Sequence, residues 1–177
     1  MSRWLLLAFG VGGLIYLLAG SSPRPRRRGL GSPIESTTTP RVTPNGHFGA
    51  HRRGPPIHQH QGVDLQARPG SHVLAIGDGT IVSTRPGLGG VVRKLLLDKP
   101  SSWIANASAK VHAVVYADLG APLVEPGERV ERGDPIALVW DRGFVHFAVK
   151  EQRDGRETFF DPADAGFAYR LARREVA

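Results

Sequence analysis

Cysteine is absent from the whole 177-residue chain. That excludes a disulfide framework and any thiolate zinc site, so a bound metal must use histidine and carboxylate donors. It leaves the compartment open. No His-Glu-x-x-His occurs, which removes the zinc-helix proteases. No Met-Lys-Met hairpin occurs either, so the Gly127–Ile136 turns do not belong to a biotinyl or lipoyl carrier, despite their similar geometry.

Acidic residues are scarce at the front of the chain. Up to Arg53 there are eight basic residues (Arg3, Arg24, Arg26, Arg27, Arg28, Arg41, Arg52 and Arg53) against Glu35 alone. From Gly54 onward fifteen basic residues meet fifteen acidic ones. The net charge of +7 therefore belongs to the front and not to the rest of the chain. A nucleic-acid-binding domain carries a basic face of its own, so no nucleic-acid partner is expected. A basic tether suits anionic lipid headgroups or other surface polyanions.

What is plentiful is turn chemistry. Twenty-two glycines and fourteen prolines in a chain long enough for one domain and a tail favour an all-β fold. Trp4 to Ala19 is an apolar run broken only by glycines, between a signal-peptide core and a full span in length. Residues 1–20 thus read as a transmembrane anchor or signal segment. The arginines after this run outnumber Arg3 before it, which by the positive-inside rule opposes export. Residues 21–45 are rich in Pro, Ser, Thr and Arg and read as an extended, solvated linker.

Short β runs follow, at His72–Ile76, Thr80–Ser83, Val91–Leu97, Lys110–Ala117, Arg129–Val130, Ile136–Trp140 and Phe144–Lys150. Gly77-Asp78-Gly79 reads as a hairpin turn joining the first two. Asp98–Ala109 reads as a surface excursion. Near the end, the spacing of Phe167, Leu171 and the arginines predicts a helix over about Ala163–Arg174.

Two segments carry chemistry. In His60-Gln61-Gly62-Val63-Asp64, imidazole and carboxylate lie four apart around a glycine that permits a sharp bend. By itself such a pair is more often a hydrogen-bonded loop than a ligand pair. In Phe144-Val145-His146-Phe147-Ala148-Val149, strand alternation puts His146 on the face of Phe144 and Ala148. A histidine so placed is more often a satisfied core residue.

Taken together and in this order, the segments resemble the lysostaphin/LytM-type zinc endopeptidases, which cut peptide cross-links in bacterial cell walls. Phe48-Gly49-Ala50-His51-Arg52 resembles the stretch before that family's first ligand, and Pro69–Val82 resembles its following hairpin. Val124–Ala137 resembles the turn-strand-turn before its last strand, and Asp161-Pro162 its closing pair. The resemblance covers about two-thirds of the chain. It implies a mainly β, compact antiparallel sandwich or barrel-sandwich over residues 46–166, to which the apolar run and the C-terminal spacing read above add an N-terminal membrane helix and a short helical tail at 167–177. It also implies zinc held by His60, Asp64 and His146, peptidoglycan peptides as substrate and a location in the cell envelope outside the cytoplasm.

The chain departs from the family at two places. A Tyr-Ala-His-Leu-like stretch is here Tyr116-Ala117-Asp118-Leu119, and the histidine two before the last ligand is here Phe144. Both imidazoles that move protons in the family are replaced. Asp118 admits three readings: a substitute base, a fourth ligand closing the site, or a surface carboxylate. His47, His51, His58 and His112 are candidate replacement imidazoles. His112 leads, because it shares strand parity with Tyr116 and Asp118 unless a bulge intervenes. Retained ligands favour an enzyme, whereas lost histidines favour a module that binds the wall or regulates a partner hydrolase.

Overall fold

The computed structural model describes residues 29–52, 58–87 and 90–171. The membrane segment expected at residues 1–20 lies outside them. Among the described residues no helix is long and apolar enough to cross a membrane.

The fold is mainly β and largely antiparallel, as the turn-rich composition predicts. Its strands are β1 (Arg41–Val42), β2 (His51–Arg52), β3 (His58–Gln59), β4 (Val63–Gln66), β5 (His72–Leu74), β6 (Gly79–Gly87) and β7 (Gly90–Ser101). They continue with β8 (Val111–Pro122), β9 (Arg129–Val130), β10 (Pro135–Val139), β11 (Phe144–Arg153), β12 (Arg156–Phe160) and β13 (Arg170–Leu171). The main path of the sheet runs β13-β1-β4-β11-β8-β7-β6-β9, and β12 pairs with β11. β2 and β3 form a separate two-stranded ribbon.

Alternation along β11 creates two faces. Val145, Phe147 and Val149 are buried in the core with Val63 and Leu65 of β4 and with Val114 and Tyr116 of β8. Trp103, Tyr116 and Phe167 pack their rings around Phe147, with centroids 5.3–6.1 Å from it. Burial of such large apolar side chains is the main source of stability here. His146 and its neighbours at i±2 occupy the other face, which holds the site.

Four expectations change. Gly77-Asp78-Gly79 does not close a hairpin between its flanking runs, because β5 pairs with β10 while β6 pairs with β7 and β9. Gly79 serves close approach instead, since a Cβ there would lie 2.2 Å from the Leu96 carbonyl oxygen. The excursion at Asp98–Ala109 is partly interior: β7 runs on to Ser101, and Trp103 donates its indole N–H to the Gly31 carbonyl at 2.8 Å.

The solvated linker to residue 45 gives way, from Gly29 on, to packed chain. Leu30 and Ile34 join the core, and Val42 of β1 pairs with Leu65 of β4. Three buried apolar residues, Leu30, Ile34 and Val42, dock a segment whose composition reads as solvated. The C-terminal helix is likewise absent from the described part. A 3₁₀ turn at Pro162–Ala165 is capped by the Asp161 carboxylate and stopped by Gly166 at φ 86°, after which β13 pairs in parallel with β1. Residues 172–177 of the expected tail lie outside the described residues.

Candidate metal centre

The antiparallel register of β4 and β11 sets Asp64 directly opposite His146. Opposed residues project from the same face, so carboxylate and imidazole meet without any loop having to aim them. His60 sits four residues before Asp64. Its backbone N–H donates to the Ala50 carbonyl at 2.9 Å, and its own carbonyl accepts from Gly49 N–H at 2.8 Å. Those bonds tie the loop carrying His60 to the segment before it.

Three donor atoms converge. His60 Nε2 lies 2.8 Å from His146 Nδ1, His146 Nδ1 lies 3.1 Å from Asp64 Oδ1, and His60 Nε2 lies 3.2 Å from the same oxygen. The ring centroids of the two histidines are 4.8 Å apart. His60 Nδ1 donates to the His47 carbonyl at 3.0 Å, which turns Nε2 toward the centre, where it offers a lone pair to a metal whenever the ring is neutral. Ring nitrogens and a carboxylate oxygen this close are held together by a shared proton or a cation, since their bare lone pairs would repel one another.

The electrostatics agree. Burial opposes ionisation of Asp64, but hydrogen bonds from His146 and His60, the charge of His60 and a hydrogen bond from Arg52 outweigh it. The carboxyl is thereby held well below the usual carboxylate range. Arg52 pairs with Oδ2 of Asp64, the oxygen turned away from the imidazoles, and so presents Oδ1 to the centre. Arg52 gave no signal of its own in the sequence beyond the Phe48–Arg52 stretch.

Gly62 is needed for a reason other than a bend. Its φ is not positive, and a Cβ there would lie 2.7 Å from the Phe147 carbonyl oxygen and 2.8 Å from His146 Cε1. The glycine lets the ligand-bearing loop lie flat on β11.

Similarity to known proteins now bears on this arrangement. Residues 58–158 match the model of peptidase family M23. The chain belongs to that family. It is 31% identical over 99 residues to an uncharacterized metalloprotease of Haemophilus influenzae, a match covering 54% of this chain but 19% of the relative. The fold resembles a zinc-containing peptidase from Vibrio cholerae at TM-score 0.54 and 22% identity, covering 75% of this chain and 39% of that one. It equally resembles a chain in the crystal structure of the SpoIIIAH and SpoIIQ complex, at TM-score 0.54 and 18% identity, covering 77% and 99%.

Within this M23 fold, Asp118 stands on a bulge. β8 gains a residue on β7 between the pairs Tyr116↔Arg93 and Leu119↔Val91, and Asp118 adopts φ 56°. Its half-buried carboxylate lies 3.6 Å from Arg142 Nη1, and Arg142 rests 4.7 Å from the centre of the Trp140 ring. Burial pushes the Asp118 carboxyl up, against the charges of His146 and Arg142, while Asp64 pushes it further up. Asp118 is thus inside the field of the site, yet the close donor group contains only His60, Asp64 and His146 among the described residues. The bulge also breaks the parity on which the choice of His112 rests. His112 precedes Ala117, the β8 partner of His146, by five residues, or about 17 Å of strand. Of the candidate imidazoles, His58 is the one that lines a groove beside His60.

Proposed function

We propose that this chain is a zinc metalloendopeptidase acting on peptidoglycan cross-link peptides, anchored to the membrane by residues 1–20 with its domain outside the cytoplasm. The observation that carries the reading is the convergence of His60 Nε2, Asp64 Oδ1 and His146 Nδ1 to within 3.2 Å of one another. Donors sharing one zinc at its usual bond lengths of about 2.0–2.2 Å stand about 3.3–3.6 Å apart. The three donors present would hold such an ion once the closest pair, His60 Nε2 and His146 Nδ1, widened by about half an ångström or somewhat more.

A zinc ion held there supplies Lewis acidity toward the peptide carbonyl and acidifies water. The chain's own residues do the rest. Arg52 fixes the Asp64 carboxylate and the His47 carbonyl fixes the His60 ring, so neither ligand spends entropy on finding its pose. Asp118, whose carboxyl burial pushes up, would take a proton from water at the site and pass it to the departing amine. Phe144, two residues before His146 on the same face of β11, offers no proton path.

The replacement of both proton-moving imidazoles by Asp118 and Phe144 favours a second reading. In it the domain binds the wall or regulates a hydrolase partner without cutting. Zinc content and release of cross-link peptides from sacculi, measured on the purified full chain, decide between them. Bound zinc with no hydrolysis, unchanged by Asp118→Ala, ends the peptidase reading. Hydrolysis gained by Phe144→His together with Asp118→His shows a sound scaffold lacking only its relay.

A further inference from the structure

A groove of about 540 Å³ runs from His60 along the sheet, lined by Phe48, Gln59, Gln61, Glu157 and Phe159. Beyond its far end Lys94 and Lys150 meet on one carboxylate. Lys94 Nζ contacts both oxygens of Glu157, at 2.6 and 2.8 Å, and Lys150 Nζ reaches Oε2 at 3.0 Å. Lys150 also lies 4.5 Å from the centre of the Phe159 ring.

The register shows that this cluster belongs to the face of the metal centre. Pairing of β11 with β8 is unbroken from His146↔Ala117 to Lys150↔Ala113, so His146, Ala148 and Lys150 project together. Lys94 pairs with Val115, which itself pairs with Ala148. Phe159 pairs with Lys150, and Glu157 lies two residues away on the same side. Between the two ends Ala148 is fully buried beneath the loop at Gly62, so the open path is the groove itself, lined by Gln59 and Gln61 from the ligand loop and by Glu157 and Phe159 from β12.

Charge does not balance at the far end. Two ammoniums face one carboxylate, and both lysine side chains are mostly buried, at 24% and 17% exposure. Among the described residues no second carboxylate pairs with either. The stems are covered while the ammoniums meet Glu157 at the surface, and one carboxylate shared by two ammoniums leaves a unit of positive charge beside the groove for an anion from outside.

We infer that Lys94 and Lys150 form a subsite for a carboxylate on the bound peptide, about three to four residues from the bond that is cut. The inference rests on the peptidase reading for what occupies the groove. Its distance comes from the strand: four residues from His146 to Lys150 span about 13 Å, and an extended peptide advances at about the same 3.3 Å per residue. Selectivity follows, because an amide at that position gives the ammoniums no charge to meet.

Two synthetic peptides identical except for a carboxylate or a carboxamide at that position test it. Their binding to the purified full chain is measured by calorimetry, with zinc and again with a chelator present, where no turnover occurs. The carboxylate peptide binds about tenfold more tightly, the worth of one charge-assisted hydrogen bond, and Lys150→Met abolishes that preference. Glu157→Gln frees both ammoniums and increases the preference, a direction that mere destabilisation does not produce. Equal affinity for the two peptides, or a preference unchanged in Glu157→Gln, overturns the subsite. A preference without hydrolysis of either peptide removes the peptidase reading and keeps the subsite; hydrolysis without preference does the reverse.

Discussion

Two adjoining strips of one sheet face differ in how completely they keep their chemistry. On the β4–β11 strip, His60, Asp64 and His146 converge, and second partners fix two of them: the His47 carbonyl for His60 and Arg52 for Asp64. Beside them, where the family resemblance implies imidazoles, stand a carboxylate on the neighbouring β8 bulge and, on β11 at the edge of the first strip, a phenyl ring. Holding a cation and moving a proton are thus separable demands. The first needs three donors at fixed separations, which strand register supplies. The second needs one group of suitable pKa, which several residue types can supply from several positions.

The largest expected effect breaks the intact strip. His146→Ala removes one of three proposed ligands and leaves two buried polar groups facing each other. Zinc affinity falls by more than the 10–100-fold typical of losing an outer partner, and any hydrolysis is lost with it. Competition against a chromophoric chelator measures this. Retention of zinc by His146→Ala removes the comparison altogether. On the altered strip, Asp118→Asn keeps size and bulge but cannot take a proton. It lowers kcat/KM by about 10²–10⁴-fold, the usual worth of general acid–base help, while zinc affinity stays as it was.

Next in size is the support behind the ligands. Arg52→Met frees Asp64 Oδ2 and weakens zinc by about 10–100-fold, read in the same competition assay. Gly62→Ala forces a methyl against the Phe147 carbonyl and the His146 ring. Overpacking of that kind destabilises by about 1–3 kcal/mol, and urea unfolding of the zinc-free chain reads it without interference from the metal. If Gly62→Ala unfolds at the same denaturant concentration as the parent, the close fit of the ligand loop on β11 is not what the glycine serves.

The sequence made the intact strip easier to read than the altered one. His60 and Asp64 carry their spacing in the chain, and strand alternation around His146 states its face. Register then joins segments that are 82 residues apart, Asp64 to His146, which no local pattern contains. The bulge at Asp118 leaves no trace in composition, because one residue at φ 56° is enough to reverse the parity that singled out His112. Arg52 was hidden for a similar reason: its partner is twelve residues away and its type is common in the front of the chain. The tail misled through periodicity, since Phe167 and Leu171 are spaced for a helix, yet Gly166 stops the turn after four residues. Phe167 then spends its ring on Trp103 and Phe147.

The smallest effect asks whether Glu157, beyond the groove from the metal strip, shares in the acid sensitivity of the fold. Hydrogen bonding from Lys94 lowers the Glu157 carboxyl, burial opposes this, and Lys150 lowers it further, with the net result below the ordinary value of 4.5. A carboxyl depressed in the folded state binds fewer protons there than in the unfolded chain. Its contribution is therefore complete above pH 4.5 and is lost as the pH falls through the folded value. Because Glu157 is about a quarter exposed, screening holds that contribution to under about 1 kcal/mol. In zinc-free protein, unfolding free energies of Glu157→Gln and the parent should converge as pH falls from 5 toward 3, since only the parent has this carboxylate to lose. Asp64 is depressed in both proteins and cancels from the difference. A gap between the two that stays constant across this range would mean that the ammonium pair holds its carboxylate without electrostatic gain.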